Sequence, residues 1–194
     1  MNLRSLAWAL GLLFAPAVVA GPQPVSPGQN FPGPVLTVKA PNSAGWLLGK
    51  LSSELVYFGR TGATKSESYI ASITLFELPE AKEGEDFLAI ITKGAKKDVD
   101  SGNKFQDQSL HFEATDARGY PCVLMISTVR DTKARTSLFK HESLFFQVRA
   151  LYCRMPNKSK AGMVIDYSHR GPTALEDFDA QAQDFIDDVE VPRP

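Results

Sequence analysis

The sequence carries almost no excess charge of either sign. Its 194 residues include 21 lysines and arginines against 22 aspartates and glutamates. A nucleic-acid-binding surface is basic because it displaces counterions from phosphates, and attachment to anionic lipids requires a basic patch. The near-neutral balance therefore argues against both kinds of partner.

Residues that build metal and catalytic sites are scarce. The three histidines, His111, His141 and His169, show no i, i+4 spacing and have no cysteine beside them, so no zinc site is predicted. The sequence also lacks a G-x-S-x-G nucleophile elbow, and no pair of carboxylates can be assigned to acid–base chemistry. We therefore predict a protein that is not an enzyme and holds no cofactor or metal.

One segment resembles a phosphate-binding loop. Residues 59–66 follow the pattern G-x-x-x-x-G-K-[ST], except that Thr64 replaces the second glycine. That glycine lets the backbone curl around phosphates, and the loop must open a helix. A strand pattern follows here instead, which indicates a hairpin turn.

Only one long apolar run is present, and it lies at the N-terminus. Arg4 precedes the run from Leu6 to Phe14, and Val18-Val19-Ala20 offers the small-residue pattern of a cleavage site. This is typical of a secretory signal peptide over residues 1–20, cleaved near Ala20–Gly21. We expect a periplasmic protein without a transmembrane anchor, since no other run approaches the ~20 residues that span a bilayer.

The expected mature chain divides into an arm and one domain. Residues 21–34 contain five prolines and three glycines, which favours an extended, weakly packed arm over residues 21–44. The rest, residues 45–194, is long enough for a single domain with its own core. Whether the arm docks onto a partner stays open.

Hydrophobic periodicity predicts strands around a single internal helix. Alternation favours strands over 54–60 and 68–78, with Tyr69, Ala71, Ile73 and Leu75 on one face. Phe87, Ile90, Ile91 and Ala95 form one helical stripe between about residues 85 and 98. A β meander then follows, with strands over 105–114, 120–131, 144–154 and 163–168.

A second helix is predicted near the C-terminus. Thr173 and Glu176 have the spacing of a capping box, and an apolar stripe continues from Leu175 to Val189. Asp177, Asp184 and Asp188 share the opposite face, where they either bind a cation or basic partner or form a solvated surface.

The two cysteines match the register of the predicted meander. If the strands 120–131 and 144–154 form an antiparallel hairpin, opposed residues have index numbers that add to about 275. Cys122 and Cys153 add to 275, so their Cβ atoms would lie ~4.5–5.5 Å apart. We predict a Cys122–Cys153 disulfide, the usual state of a cysteine pair in an oxidising compartment. The alternative, a redox or nucleophilic cysteine, lacks both a C-x-x-C motif and a histidine placed beside a cysteine.

One polar cluster is a weak candidate for a site. Tyr167, Ser168, His169 and Arg170 gather at a predicted strand end, just before the C-terminal helix. They indicate either a functional site or surface and capping roles.

The element order, the "IDYSHRG" strand end and the F-x6-F helix of Phe178 and Phe185 resemble the PsbP-like fold, including exported DcrB-type proteins of Gram-negative bacteria. The resemblance covers roughly residues 45–190. It implies an α+β sandwich, in which helices flank an antiparallel sheet and a capped helix ends the chain, and it implies mostly non-enzymatic accessory roles. DcrB-type proteins are often lipoproteins, but this chain has no cysteine at the cleavage site.

Three functional hypotheses follow from these observations. The first is a non-catalytic periplasmic binding or accessory protein whose partner is another envelope protein. The second is an immunity protein that neutralises a toxin acting in the periplasm. The third is an envelope enzyme of unknown reaction that uses the cluster at His169.

Overall fold

The computed structural model describes residues 21–32, 37–78, 86–99, 105–135, 141–155 and 160–189. The predicted signal peptide, residues 1–20, lies outside this range, as does most of the boundary between the internal helix and the meander. Among the described residues, no helix is long and apolar enough to cross a membrane.

Strands dominate the chain, and two helices are seen in the described parts. The strands are β1 (Gln23–Pro24), β2 (Asn30–Pro32), β3 (Thr37–Lys39), β4 (Leu47–Leu51), β5 (Leu55–Thr61), β6 (Ser68–Glu77), β7 (Phe105–Thr115), β8 (Cys122–Arg135), β9 (His141–Arg154) and β10 (Ala161–Gly171). The helices are α1 (Phe87–Val99) and α2 (Phe178–Asp187).

Eight strands form one antiparallel sheet in the order β1-β4-β5-β6-β10-β9-β8-β7. The last four are neighbours in sequence order, so the predicted meander is confirmed. The strand β10 returns from the meander to pair with β6, which joins it to the β5–β6 hairpin. A separate ribbon consists of β2 and β3.

The predicted α+β sandwich is wrong, because the chain is mostly β and more than half of its described residues lie in strands. The strands β8 and β9 have 14 residues each, longer than their apolar cores indicated. The sheet is also widened by β4, which the sequence analysis missed because Leu47 and Leu51 are exposed and show no buried alternation.

The two faces of the sheet have separate apolar clusters. On one face, α2 packs its buried Phe178, Phe185 and Ile186 into the main core. On the other, α1 packs Phe87 and Ile91 against Val123 and its neighbours. Because Cys122 belongs to the first cluster and Val123 to the second, strand alternation puts the helices on opposite faces.

The predicted disulfide is confirmed. Cys122 lies directly opposite Cys153 in the β8–β9 register, and their sulfur atoms are bonded at 2.16 Å with Cα atoms 4.1 Å apart. Both side chains are buried in the main core. The register sum of 275 holds from this pair to Asp131 and Leu144, beyond which a bulge shifts it.

The helix α1 begins within two residues of the predicted start. Asp86 accepts a hydrogen bond from the Ala89 N–H at 2.6 Å through its Oδ1 atom, as an N-cap residue does. The predicted capping box at Thr173 and Glu176 is wrong, since α2 begins only at Phe178 and its N-cap residue makes no side-chain cap.

A tertiary contact with the sheet explains why α2 begins only at Phe178. The Gln147 side chain on β9 accepts a hydrogen bond from the Leu175 N–H at 2.8 Å and donates one to the Leu175 carbonyl at 3.2 Å. Both backbone groups of Leu175 are therefore bound to a side chain of the sheet, and the segment before Phe178 stays outside the helix.

The residues of the predicted arm take part in the fold. The strand β1 pairs with β4 at the sheet edge, and Val38 and Ala40 are almost completely buried in the main core. Phe31 packs against Phe58 with ring centroids 5.5 Å apart. Residues 21–32 are otherwise mostly exposed, and close packing is seen beyond the proline-rich stretch, at Val38 and Ala40.

Candidate functional site

The four residues of the predicted polar cluster are divided between the two faces of the sheet. They follow one another along β10, so their side chains alternate. Tyr167 and His169 project to the α2 face, where they contact Gln181 and Gln147. Arg170 instead forms an ion pair with Asp131 at 3.6 Å, and Ser168 lies on that same opposite face. The sequence neighbours do not form one site.

His169 is completely buried and held at both ring nitrogens. Its Nδ1 atom lies 3.2 Å from Gln147 Oε1, and its Nε2 atom lies 3.2 Å from Glu67 Oε1. Gly171 passes so close that a Cβ atom there would come within 2.7 Å of the His169 ring. Glu67 continues the network by accepting hydrogen bonds from Tyr69 and from the Ala63 N–H.

The pKa values of His169 and Glu67 both lie below their ordinary values. Burial lowers the pKa of His169, although Glu67 opposes that shift. Burial also tends to raise the pKa of Glu67, but its hydrogen bonds from Tyr69, Ala63 and His169 outweigh burial and hold this pKa below its usual value. The network joins the 62–67 turn, β9 and the segment before α2, so its role is to hold these elements together.

A half-buried acid, Asp166, lies on the opposite face. Asp166 stands between Ser72 on β6 and Ala150 on β9 in the sheet register. The Ser72 hydroxyl donates a hydrogen bond to its Oδ1 atom at 2.5 Å. Burial raises the pKa of Asp166 to about 6 despite that bond.

The α2 face carries a cleft, which we call the arm cleft, between α2 and the end of the N-terminal arm. Its volume is about 260 Å³, and it is lined by residues 41–43, Arg60, Tyr167, Gln181, Asp184 and Phe185. The arm forms one wall, β5 and β10 contribute Arg60 and Tyr167, and α2 forms the opposite wall. This volume is slightly below the ~300–1,000 Å³ of most ligand pockets, so the cleft suits a small ligand or a single side chain.

Arg60 is fixed in the arm cleft by aromatic rings. Its guanidinium carbon lies 4.1 Å from the Tyr69 ring centroid and 5.1 Å from that of Trp46. Its Nη1 atom donates a hydrogen bond to the Ser43 hydroxyl at 2.8 Å, and the Trp46 indole N–H binds the same hydroxyl at 3.0 Å. No carboxylate in the described parts of the chain forms an ion pair with Arg60.

The floor of the arm cleft is aromatic and stays uncharged. Tyr167 is buried, and its ring lies 5.8 Å from that of Trp46 and 6.2 Å from that of Phe185. Burial raises the pKa of Tyr167 to about 12, with Arg60 opposing that shift. The hydroxyl therefore stays protonated, and it donates a hydrogen bond to Gln181 Oε1 at 3.0 Å.

The acidic residues expected on one face of the C-terminal helix have different surroundings. Asp188 pairs with Lys39 at 3.7 Å and accepts a hydrogen bond from Asn42 at 2.8 Å. Asp177 accepts one from Gln181 at 2.9 Å. Only Asp184 of the three lines the arm cleft.

No sequence pattern pointed to Arg60 as a residue of this cleft. It lies at the end of an amphipathic strand pattern, where a charged residue is typical of the start of a turn. Its contacts Trp46, Tyr69 and Ser43 are not adjacent to it in the sequence. The unpaired arginine among aromatic rings can be found only once the strands are aligned.

The sequence also predicted no metal site and no phosphate-binding loop. Among the described residues, no group of three metal-ligating side chains comes together. The segment that resembles a phosphate-binding loop forms the turn between β5 and β6, as predicted. Its Ala63 N–H donates a hydrogen bond to Glu67.

No family model matches the sequence, and no curated protein matches it either. The resemblance to DcrB-type proteins therefore stays a prediction.

Proposed function

We propose that this protein is an exported, non-catalytic binding protein of the cell envelope, and that it binds an anionic group of a small ligand in the arm cleft. The observation that carries the proposal is Arg60, a half-buried cation that lines a cleft and has no ion-pair partner among the described residues.

Arg60 is suited to bind an anion because its position is already fixed. A guanidinium group offers several donors in a planar fork that matches carboxylate or phosphate. Stacking on Tyr69 and the bond to Ser43 orient the group before any ligand arrives, so less conformational entropy is lost on binding. Tyr167 and Phe185 supply apolar surface beside it.

A binding role is favoured over catalysis by the state of the buried histidine. His169 would be the natural general base of an envelope enzyme, but both of its ring nitrogens contact protein side chains. It is 0% exposed, so a substrate could reach it only after the network with Glu67 and Gln147 had opened.

Export to the periplasm is part of the proposal. The leader-like pattern of residues 1–20 supports it, and so does the Cys122–Cys153 disulfide, since disulfides persist in oxidising compartments. Expression of the full chain in a Gram-negative host tests this step. We expect the intact mass of residues 21–194 with one disulfide in the periplasmic fraction; an uncleaved, reduced chain in the cytoplasm would contradict export.

Native mass spectrometry tests the binding role. The periplasmic protein is purified as wild type, as Arg60→Gln and as Lys50→Gln, a matched loss of one positive charge at an exposed position of β4. We expect a small-molecule adduct on the wild type and on Lys50→Gln that Arg60→Gln lacks. Adducts that are absent from all three proteins, or equal in all three, would refute the assignment of the arm cleft.

The immunity hypothesis and the expected protein partner stay predictions. The contacts of Asp188 with Lys39 and of Asp177 with Gln181 reduce the free acidic surface that would cover a basic toxin site. Growth of a deletion strain beside a toxin-delivering neighbour tests the immunity role, which normal growth would exclude.

A further inference from the structure

We infer that the ligand of the arm cleft is a small zwitterion with an apolar body, of the α-amino acid type, whose carboxylate binds Arg60 and whose ammonium group binds Asp184. The inference rests on the proposed function and adds the chemical class of the ligand. It is carried by two unpaired charges of opposite sign that line one cleft.

Asp184 differs from the other acidic residues of α2 and its ends. The carboxylates of Asp177, Asp179, Asp187 and Asp188 each contact a partner: Gln181, Arg149, Gln183 and Lys39, respectively. Within the described part of the chain, the Asp184 carboxylate makes no ion pair and no side-chain hydrogen bond. It is exposed and lines the arm cleft.

Arg60 and Asp184 face the same space without neutralising each other. They come from different elements, Arg60 from β5 and Asp184 from α2. Their charged atoms are more than 4.0 Å apart, since no ion pair joins them. A ligand that carries both charges offers each residue a group of opposite sign, whereas a simple anion adds a second negative charge to a cleft that Asp184 already lines.

The remaining lining fits the body of such a ligand. Pro41, Phe185 and the ring of Tyr167 are buried apolar surface, and the amide of Gln181 is already bound to Tyr167 and Asp177. A volume of about 260 Å³ corresponds to about nine water molecules at ~30 Å³ each. Leucine has about that number of non-hydrogen atoms, so it is a suitable probe.

Calorimetric titration with three matched probes tests the inference. L-leucine carries both charges, isocaproate lacks the ammonium group, and isoamylamine lacks the carboxylate. We expect L-leucine to bind wild-type protein at least about tenfold more tightly than either analogue, because each charged contact contributes roughly that factor.

Variants assign each charge to its residue. Asp184→Asn should weaken L-leucine about tenfold and leave isocaproate unchanged or slightly stronger. Arg60→Gln should weaken L-leucine and isocaproate alike. Glu176→Gln is the control for Asp184→Asn, since Glu176 is an exposed acid just before α2 and outside the cleft; it should bind all three probes as the wild type does.

The outcomes separate this inference from the proposed function. If isocaproate binds as tightly as L-leucine and only Arg60→Gln weakens both, the zwitterion is refuted and an anion-binding protein remains. If none of the probes binds but the mass spectra still show an adduct that depends on Arg60, the inference likewise fails alone. If no probe binds and no such adduct exists, both are refuted.

Discussion

His169 is a buried polar residue outside the arm cleft. It fills buried space between β10, β9 and the 62–67 turn, and its ring connects Glu67 with Gln147. We expect His169→Ala to lower the free energy of unfolding by about 2–4 kcal/mol, because it opens a cavity and removes one contact each from Glu67 and Gln147. Urea unfolding measures the change.

His111→Ala is the matched control, since His111 is exposed on β7 and its loss should change stability by less than about 0.5 kcal/mol. A His169→Ala protein that unfolds like the wild type, but has lost ligand binding, would show instead that the histidine belongs to a functional site.

Asp166 lowers the stability of the folded protein as the pH rises. Its pKa in the folded protein is raised from 3.8 to about 6, so folding favours the protonated acid. This contribution to stability is complete below the unfolded pKa and is lost as pH rises through about 6. Two pKa units correspond to about 3 kcal/mol.

Asp166→Asn removes this dependence while keeping the size of the side chain. Between about pH 4 and pH 8, we expect the wild type to lose up to about 3 kcal/mol more stability than the variant, measured by urea unfolding at each pH. Asp116→Asn, at an exposed turn position, should behave like the wild type. Parallel pH profiles for wild type and Asp166→Asn would refute the assignment.

At the level of single residues, the sequence could predict which positions are buried but not which contacts they make. Tyr69, Ala71 and Ile73 lie in the main core as their alternation indicated. By contrast, Glu67 and His169 are 102 positions apart, and no local pattern joins them. Adjacency in sequence was misleading for Tyr167 to Arg170, because neighbouring positions of a strand project to opposite faces.

Among the elements, the β8–β9 hairpin is stabilised by the only covalent link between strands in the described chain. The disulfide joins residues 31 positions apart, and a loop of that length is worth about 3–4 kcal/mol in the chain-entropy account. We expect the double variant Cys122→Ala/Cys153→Ala to lose about 3 kcal/mol of unfolding free energy. Adding reductant should not lower its stability further.

Reduced wild type is the control for that experiment, because it loses the bond but keeps both side chains. It should unfold at nearly the same denaturant concentration as the double variant. A double variant as stable as the oxidised wild type would show that β8 and β9 hold together without the bond.

The end of α2 depends on an arginine from the β7–β8 connection. Arg118 donates hydrogen bonds to the carbonyls of Ile186 and Val189, the second at 2.8 Å, and these are among the carbonyls that a helix end leaves without partners. Its positive charge also suits a helix C-terminus. No local pattern predicts this contact, since residue 118 lies in a turn 68 positions before Ile186.

For elements in general, prediction succeeded where the pattern was local. The constant index sum of a hairpin gave the register of the cysteines, and the apolar stripe gave α1 to within two residues. It failed at the start of α2, where the tertiary contact from Gln147 to Leu175 overrides the capping signal. It also failed at β4, which forms because its neighbours β1 and β5 offer backbone partners.

For the whole molecule, the N-terminal arm links the fold to the arm cleft. Its strand β1 covers the β4 edge, β2 pairs with β3, and residues 41–43 that follow form one wall of the cleft. This order explains how a segment rich in proline and glycine leads into the wall of the cleft: it packs by pairing at an edge and burying a few apolar side chains.

Truncation of the arm tests this connection. A mature chain that begins at residue 33 lacks β1 and β2, so Leu47 and Leu48 of β4 lose their partner strand and β4 becomes an edge strand. We expect this truncated chain to be less stable and to bind ligand at least about tenfold more weakly. We also expect concentration-dependent self-association in sedimentation velocity, because open strand edges pair with other chains. A chain that begins at Gln23 removes only exposed residues before β1 and should match the full mature protein. If the longer truncation stays monomeric and binds ligand normally, the arm is a mere tether, and the cleft wall at residues 41–43 does not need it.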